Sequence, residues 1–526
     1  MSATVHSLPI EIFEKVFSYL TFKDLRNAAL VCHNWNEVLL GAKFQRCLRV
    51  ELQSDFSDQL PKEHKKLIEC CRNLSIVQDF SPAITADDDI NKLSEPEENI
   101  ASIIFSTKEL NSLQVISRYS SLKNIIHDRL SELPWLKELR ISFCHHKTVK
   151  RDTISGDDVW RLQSESLECF KLDQRGPNDL FQLMTPSLRE LHLTIDCKEI
   201  FDIVVMYCKQ LEVLRLKLID IETLDKIMDL PYPLLRSLEI GIYDDKELQL
   251  NYSRTANLNE NDQRAKKFVQ RIPSLAELSV RSNVVFHKIF PTLCSVKTKL
   301  QDLSLHNIEL DANILLNVLL VQPLLRLSIH HCEITNDLPG LHIRVAGLKH
   351  LRLINVVNNI LLEHNFCGLK SLELFHGFKF GSDSIQKVFI NFGSIEELLI
   401  HYRNSLDEDA LTKLHQLSYL KSLTLRSTEV TALQCESCKP MLSVEKLTMY
   451  SCFMLRYSAF IEIRRVFPAL KRLHVDSCHI IDDTSAADAA VDGTCELKLR
   501  QLFSQCIVSW HDSVQITPLT LKQLLL

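Results

Sequence analysis

A short apolar motif recurs along most of this chain of 526 residues. Each copy has an apolar anchor, two variable residues, a leucine in most copies, one variable residue and a second apolar residue. The copies are LKELRI at Leu136, LECFKL at Leu167, LRELHL at Leu188, LEVLRL at Leu211, LRSLEI at Leu235, LAELSV at Leu275, LQDLSL at Leu300, LLRLSI at Leu324, LKHLRL at Leu348, LKSLEL at Leu369, IEELLI at Ile395, LKSLTL at Leu420, VEKLTM at Val444 and LKRLHV at Leu470. Their mean period is about 26 residues. Because one repeat cannot bury its apolar face alone, this series predicts a solenoid of stacked repeats.

Each repeat is predicted to contain one strand and one helix. The fourth and sixth motif positions are apolar and alternate with variable ones, which is the period of a strand. Segments 313–321 and 384–392 have helix-compatible apolar spacing. Prolines that would end such helices precede many motifs, at Pro134, Pro186, Pro233, Pro273, Pro323 and Pro468. The pattern predicts an α/β leucine-rich-repeat horseshoe.

Weaker copies of the motif and departures from the period complete this picture. Cys71 and Leu110 begin two degenerate early copies, and LRQLFS at Leu499 resembles a late one. Since insertions in a solenoid form loops, loops are predicted at 81–99, 150–160, 244–267 and 481–494.

Composition excludes several classes of protein. The net charge of −6 gives no overall basic excess for nucleic acid, and the 11 glycines form no dinucleotide or phosphate-binding motif. No apolar run is long enough for a membrane span, and the first residues do not resemble a secretory signal. Seventeen cysteines without such a signal predict reduced thiols, and hence a cytoplasmic or nuclear protein. No cofactor is predicted.

Most cysteines have a structural interpretation. Cys144, Cys332, Cys452 and Cys478 all lie eight residues after a motif anchor, where Asn283 lies in the repeat at Leu275. We therefore expect them to be buried at the turn that follows the strand. Cys435 and Cys438 have CxxC spacing but no second ligand pair, so no metal site is predicted.

The variable strand positions between Leu324 and Val475 are rich in arginine, histidine and aromatic residues, with acidic residues interspersed. Alternation along a strand directs these side chains to one face, the inner face of the horseshoe. This polarity serves solubility alone, or it forms a docking surface for an acidic or phosphorylated peptide. Nucleic acid is the weaker interpretation because of the acids. The candidate target-binding residues are His330, Arg352, Phe375, His401, Tyr402, Arg426, Tyr450, Arg472 and His474.

The first 45 residues have a different pattern. Between residues 9 and 20 apolar side chains recur at the helical period, Thr21–Asp24 has the form of a capping box, and Gly41 is a plausible helix stop. So small a helical segment cannot bury its apolar surface within itself, so it requires a covering partner.

This segment resembles an F-box. The family's pattern is matched at Leu8, Pro9, Glu11, Ile12, Val16, Phe17, Leu20, Asp24, Leu25, Ala28, Val31, Cys32 and Trp35. The resemblance implies a three-helix F-box that docks on a Skp-type adaptor and, through it, on a cullin and a RING subunit. The docking candidates are Leu8, Pro9, Ile12, Phe13, Val16, Phe17, Leu20, Leu25, Val31 and Trp35. For any one of them, packing between the three helices is the alternative.

An F-box followed by leucine-rich repeats is the layout of the F-box/leucine-rich-repeat family. The expected domains are an F-box at 1–48, a solenoid at 49–503 and a C-terminal cap or tail at 504–526. The resemblance implies a non-catalytic substrate-recognition subunit of a cullin–RING ubiquitin ligase. A non-degradative scaffold or inhibitor that uses the same two surfaces is the alternative. An enzyme acting through its own cysteine is a third, weaker one.

Overall fold

The fold comes from a computed structural model of the chain, which has two compact units, Met1–Asp244 and Asp245–Leu526. The structure describes residues 10–17, 28, 31–32, 35, 38, 49–53, 72–77, 101–107, 109–117, 126, 129–143, 159–174, 180–195, 209–218, 228–229, 232–242, 258–335, 344–357, 360–375, 387–388, 391–401, 413–427, 438–452, 455–482, 494–510 and 515–518.

The first unit contains a helix and a parallel strand ladder. Helix α1 is Ile10–Phe17. The strands are β1 (Arg49–Gln53), β2 (Asn73–Val77), β3 (Ser112–Ser117), β4 (Glu138–Phe143), β5 (Val159–Gln163), β6 (Cys169–Gln174), β7 (Leu180–Met184), β8 (Glu190–Ile195), β9 (Val213–Leu218) and β10 (Ser237–Ile242). The ladder runs β1, β2, β3, β4, β6, β8, β9, β10. Strands β5 and β7 pair with each other in a separate small sheet.

The second unit continues the same motif with its own ladder. Its strands are β11 (Glu277–Arg281), β12 (Asp302–His306), β13 (Glu309–Asp311), β14 (Arg326–His330), β15 (Glu333–Thr335), β16 (Arg344–Val345), β17 (His350–Ile354), β18 (Asn365–Phe366), β19 (Ser371–Phe375), β20 (Glu397–His401), β21 (Ser422–Arg426), β22 (Lys446–Tyr450), β23 (Leu455–Arg456), β24 (Arg472–Asp476), β25 (His479–Asp482), β26 (Ile507–Trp510) and β27 (Gln515–Pro518). The ladder runs β11, β12, β14, β17, β19, β20, β21, β22, β24, β26. The remaining strands pair in short outer sheets, β13 with β15, β16 with β18, and β23 with β25 and β27.

The motif sets the register of both ladders. Each strand begins two residues after its anchor, so equivalent motif positions lie side by side. Leu327, for example, has Leu303 and Leu351 as its Cα partners on the two neighbouring strands. All three are 1% exposed, whereas Ser304, Ser328 and Arg352, which stand between the apolar positions of the same strands, are partly exposed. The predicted solenoid is therefore confirmed, and the weak copies at Cys71 and Leu110 are confirmed as ladder strands β2 and β3.

The turn after the strand is also a repeated structure. Six residues that directly follow a ladder strand have φ between 48° and 54°, namely Asn307, His331, Asn355, Ser427, Ser451 and Ser477. The N–H of His331 donates to the carbonyl of Ile354 (2.7 Å), which closes the end of the neighbouring strand. The next residue turns inward, and the predicted burial is confirmed for Cys332, Cys452 and Cys478, each 1% exposed. Cys144 lies outside the described residues.

The layer that covers the ladder is less uniform than one helix per repeat. Helices are α2 (Leu258–Arg271), α3 (Asn283–Leu293), α4 (Ala312–Val321), α5 (Tyr457–Val466) and α6 (Thr494–Leu502). Helix α4 confirms the prediction at 313–321, and in the predicted helix 384–392, residues 387–388 and 391 are helical. In the described part of the repeat at Leu348, a 3₁₀ turn, Ile360–Glu363, takes the place of a helix. That repeat is 21 residues long, too short for a strand and a full helix.

Two sequence predictions in this unit are wrong. The predicted loop 244–267 is helical from residue 258, because Ala265, Phe268 and Val269 form an apolar face that is at most 2% exposed. The motif-like LRQLFS at Leu499 lies in α6, where Leu499 and Phe503 are buried at the four-residue spacing of a helix.

The last ladder strand is β26, beyond the predicted end of the solenoid at 503. Its Ile507 has Arg472 as its Cα partner, although the segment contains no leucine motif. Strand β27 pairs with β25, so residues 515–518 also continue the repeated structure. Of the other predicted loops, 81–99 lies outside the described residues, as do most of 150–160 and 481–494.

Candidate functional site

The N-terminal helical segment has a small aromatic core. Phe13, Phe17 and Ala28 are 8%, 1% and 6% exposed, and Trp35 and Val38 pack against them. The ring centroid of Trp35 lies 5.9 Å from that of Phe13 and 5.3 Å from that of Phe17, both edge-on. Helix α1 matches the first predicted helix, and Ala28, Trp35 and Val38 are helical. Residues 21–24 and Gly41, where the next helix boundaries were predicted, lie outside the described residues.

Other apolar side chains of this segment point outward. Ile12, Val16 and Val31 are 44%, 50% and 60% exposed. Ile12 and Val16 are four residues apart on α1, so they lie side by side on one helix face. Phe13 and Phe17 lie on the adjacent, buried face and stabilise the segment instead of presenting a surface. Leu8, Pro9, Leu20 and Leu25 lie outside the described residues, so their placement stays a prediction.

The candidate target-binding residues lie on one inner face of the second unit, in adjacent strands. Ile354, Phe375 and His401 occupy the last position of β17, β19 and β20, and each is the Cα partner of the next. The rings of Phe375 and His401 are 5.5 Å apart, and the guanidinium of Arg352 lies 5.0 Å from the centre of the Phe375 ring. The ring of Tyr450 lies 5.3 Å from that of His474. Tyr402 lies outside the described residues.

This face is less basic than its composition suggests. Nε of Arg352 lies 3.2 Å from Glu373, and Arg326 donates two hydrogen bonds to Asp302 (2.6 and 2.8 Å). The rings of His306 and His330 are 4.3 Å apart. Burial, followed by neighbouring charges, lowers the pKa of each to about 4. Both histidines are therefore uncharged at neutral pH, and the face combines rings with paired charges.

Sequence reasoning missed a second polar face, in the first unit. Arg140, Lys171, His192 and Arg215 occupy the middle position of β4, β6, β8 and β9 and are Cα partners in that order. All four stand at the variable fifth position of clear motif copies, which is the pattern from which this row could have been found. An open pocket of about 330 Å³ lies over part of this row.

Most of the described thiols with a shifted pKa have it raised, whereas a hydrogen bond with Cys452 lowers the pKa of Cys478. Burial raises the pKa of Cys332 to about 11, and burial with the charge of Glu190 raises that of Cys169 to about 12. Among the described residues, no three His, Cys, Asp or Glu side chains are grouped so as to hold a metal ion. None of the described helices is long and apolar enough to cross a membrane.

Comparison with known proteins gives a short but specific match at the N-terminus. A family model described as F-box-like matches residues 5–44. F-box/SPRY domain-containing protein 1 of Caenorhabditis briggsae is 50% identical over 32 residues, which are 6% of this chain and 10% of the relative. The protein of the same name from Caenorhabditis elegans matches with the same identity and shares. The chain thus spans about a tenth of the length of these curated relatives.

Solved structures align over most of the chain at low similarity. A leucine-rich-repeat protein of Leptospira interrogans covers 88% of this chain over its entire length, with 13% identity and a TM-score of 0.34. A chain of a TLR13–ssRNA13 complex covers 91% of this chain over 65% of its own length, with 13% identity and a TM-score of 0.39. Both scores are below 0.5, so the fold rests on the strand pairing itself.

The N-terminal match and the strand ladder are complementary observations. F-box domains in general bind Skp-type adaptors in SCF complexes. The match covers the segment whose exposed apolar side chains lie on α1, and the repeats occupy the chain from β1 onward. The chain therefore combines an F-box-like segment with a ladder of leucine-rich repeats, which supports its resemblance to the F-box/leucine-rich-repeat proteins.

Proposed function

We propose that this protein is a substrate-recognition subunit of an SCF-type cullin–RING ubiquitin ligase. The observation that carries the proposal is the exposed apolar face of the F-box-like segment, formed by Ile12 and Val16, with Val31 exposed nearby in the chain. A soluble monomer gains nothing from exposing such residues together, whereas a protein interface does. The occupant of this face is a Skp-type adaptor.

The proposed mechanism is proximity. The F-box-like segment binds the adaptor, the repeats bind a target, and the complex raises the local concentration of target lysines near the ubiquitin thioester. No residue of this chain takes part in bond formation. The buried thiols with raised pKa support this view, because only a thiolate attacks a thioester efficiently.

The proposed target surface is the inner face of the second unit. Neutral histidine rings, Phe375 and Tyr450 offer flat contact area, while Arg352 and Glu373 offer charge of both signs. Aromatic and arginine side chains are the residues that most often dominate binding energy at interfaces. Because many charges are paired within the face, the target need not be strongly acidic. The sequence had favoured an acidic or phosphorylated peptide, and the paired charges weaken that preference.

The proposed location is the cytoplasm or the nucleus. Nine cysteines of the described part of the chain are free thiols. Reduced thiols persist in these compartments and are oxidised in secreted proteins.

The adaptor proposal is tested with a double substitution, Ile12→Asp with Val16→Asp. Placing two carboxylates in an apolar contact removes buried area and adds a desolvation cost, so affinity for a purified Skp-type adaptor should fall at least about 100-fold. Isothermal titration measures this directly. Leu442→Asp is the matched control, since Leu442 is 75% exposed in the second unit and should not affect the adaptor.

An unchanged affinity in the double variant would refute adaptor docking through this face. If the double variant does lose adaptor binding, reconstituted ligase assays with a captured target distinguish a substrate receptor from a scaffold or inhibitor. A receptor supports ubiquitin transfer to the target, whereas a scaffold holds the target without transfer.

A further inference from the structure

The pocket in the first unit has two chemically different sides. One side consists of middle strand positions and carries Gln114, Arg140, Lys171 and His192, which are Cα partners across β3, β4, β6 and β8. The other side lies two residues further along the strands and carries Ile116, Ser142 and Asp173. The pocket is therefore cationic along one side and has a carboxylate at its far corner.

The two cations are held in place by carboxylates outside the pocket. Nε of Arg140 donates to Glu138 (2.6 Å), and Nζ of Lys171 lies 3.0 Å from Glu190. Glu138 also accepts a hydrogen bond from Ser112 (2.9 Å). Arginine has five N–H donors and lysine three, so each cation keeps further donors for a ligand in the pocket.

The opposite corner remains available for a ligand as well. The side chain of Asp173 is exposed, and it forms no hydrogen bond or ion pair with another described residue. Burial, followed by the charge of Lys171, lowers the pKa of His192 to about 4, so this ring is a neutral side wall at pH 7. The pocket consequently favours a ligand that carries an anionic group and a cationic group at a fixed separation.

An extended peptide meets this requirement. Side chains two residues apart in an extended chain lie on the same face, about 6.6–6.8 Å apart. Lys171 and Asp173 are themselves two residues apart on β6, so a segment laid along this strand matches both groups. Because Asp173 would repel a doubly charged phosphate, a carboxylate is the better partner for the cationic side.

We propose that this pocket binds an extended target segment with an acidic and a basic residue two positions apart. The acidic side chain lies between Arg140 and Lys171, and the basic side chain reaches Asp173. This inference rests on the proposed function, since it specifies a feature of the target, and it adds a second recognition surface to the one proposed in the second unit.

The test is selection of a displayed library of random heptapeptides on the purified full chain. The wild-type protein should enrich peptides in which Asp or Glu and Lys or Arg are two positions apart. Asp173→Lys should replace the basic preference by an acidic one, a change of specificity that misfolding cannot produce. The control is Glu165→Lys, which makes the same charge change at an exposed turn position of the first unit that does not line the pocket.

A resynthesised enriched peptide then gives the size of the effect by fluorescence polarisation. Lys171→Gln should weaken its binding about tenfold, the effect of one charged hydrogen bond. Lys209→Gln, at an exposed position of the first unit outside the pocket, should leave it unchanged. Absence of the acid–base pair, or its persistence in Asp173→Lys, would overturn the pocket assignment. Adaptor titration of the same preparations is independent of this pocket, so failure of the adaptor proposal is recognised separately.

Discussion

The F-box-like segment and the strand ladder bury their apolar residues in different ways. Among the described residues, Phe13, Phe17 and Ala28 form a core with two partly buried neighbours, Trp35 and Val38. In the ladder, by contrast, Leu351 lies between its Cα partners Leu327 and Leu372, and each of these has a further partner of its own. The ladder core therefore continues from repeat to repeat, whereas the described part of the N-terminal core consists of a few side chains.

This difference supports the proposed adaptor interface. A solenoid is stabilised by the contacts between neighbouring repeats, so an internal repeat is covered on both sides. In the described part of the N-terminal segment, Ile12 and Val16 stay half-exposed beside the small core. Under the proposed function, similar apolar residues thus form a continuous core in the ladder and an interface in the N-terminal segment.

The largest expected effect is that of Phe17→Ala, which breaks the smaller core. Truncating a fully buried phenylalanine costs about 3–5 kcal/mol, a large share of what so small a segment can have. Hydrogen exchange on the full chain should show that the amides of α1 lose protection and that those of the ladder strands keep theirs. Equal loss of protection in both regions would mean that the two cores are one cooperative unit, contrary to the comparison.

Leu351→Ala is the corresponding change in the ladder. Its cost is about 2–5 kcal/mol, since the leucine is 1% exposed, but the neighbouring repeats limit how far the damage spreads. Protection should fall in β14, β17 and β19, while titration shows unchanged adaptor affinity. A loss of adaptor binding at a temperature where the variant remains folded would contradict the independence of the two regions.

The two regions also differ in how well the sequence predicted them. The ladder was predictable because its period determines register, burial and the position of Cys332 together. The motif failed at Leu499, where a helix presents leucines at a similar spacing, and at Ile507, which forms a ladder strand without leucines. Where a leucine-rich segment could form either a helix or a strand, the outcome depends on whether an unpaired edge strand of the sheet lies beside it.

The functional surfaces were harder to predict for a related reason. The sequence places Phe13 and Ile12 in adjacent positions of one amphipathic helix, yet one is 8% and the other 44% exposed. Which apolar residues face inward depends on Trp35, which the helical period of α1 does not include. Likewise, pairing of Arg326 with Asp302 depends on register between repeats, so residue counts overestimated the positive charge of the inner face.

The dependence of stability on pH tests the ladder separately, because the ladder contains the half-buried rings of His306 and His330. The folded pKa of His306 and His330 is about 4, below the ordinary value of 6.5, so the unfolded chain binds protons more readily. Stability that is complete above pH 6.5 should therefore decline as the pH falls toward 4. Urea unfolding at several pH values measures this decline for the ladder.

The double variant His306→Gln with His330→Gln should reduce that decline. His350→Gln, at an exposed position on β17, is the control and should keep it. A decline of the same size in the double variant would show that other groups dominate the acid sensitivity of the ladder.

The smallest expected effect concerns the turn that closes each ladder strand. Ser451 has a φ of 48°, a conformation that costs a residue with a Cβ atom more than it costs glycine. Ser451→Gly should therefore stabilise the second unit slightly, by about 0.5 kcal/mol after the greater chain entropy of unfolded glycine is subtracted. The hydrogen bond from the N–H of residue 451 to the carbonyl of Asp476 (2.9 Å) is retained, because it involves only backbone atoms.

Ser328→Gly is the matched control inside β14, where the extended backbone gives glycine no advantage and a loss of about 0.5–1 kcal/mol is expected. Urea unfolding of both variants decides the matter, since a loss of stability in Ser451→Gly would mean that the serine side chain, and not its strained backbone, determines the energy of this turn.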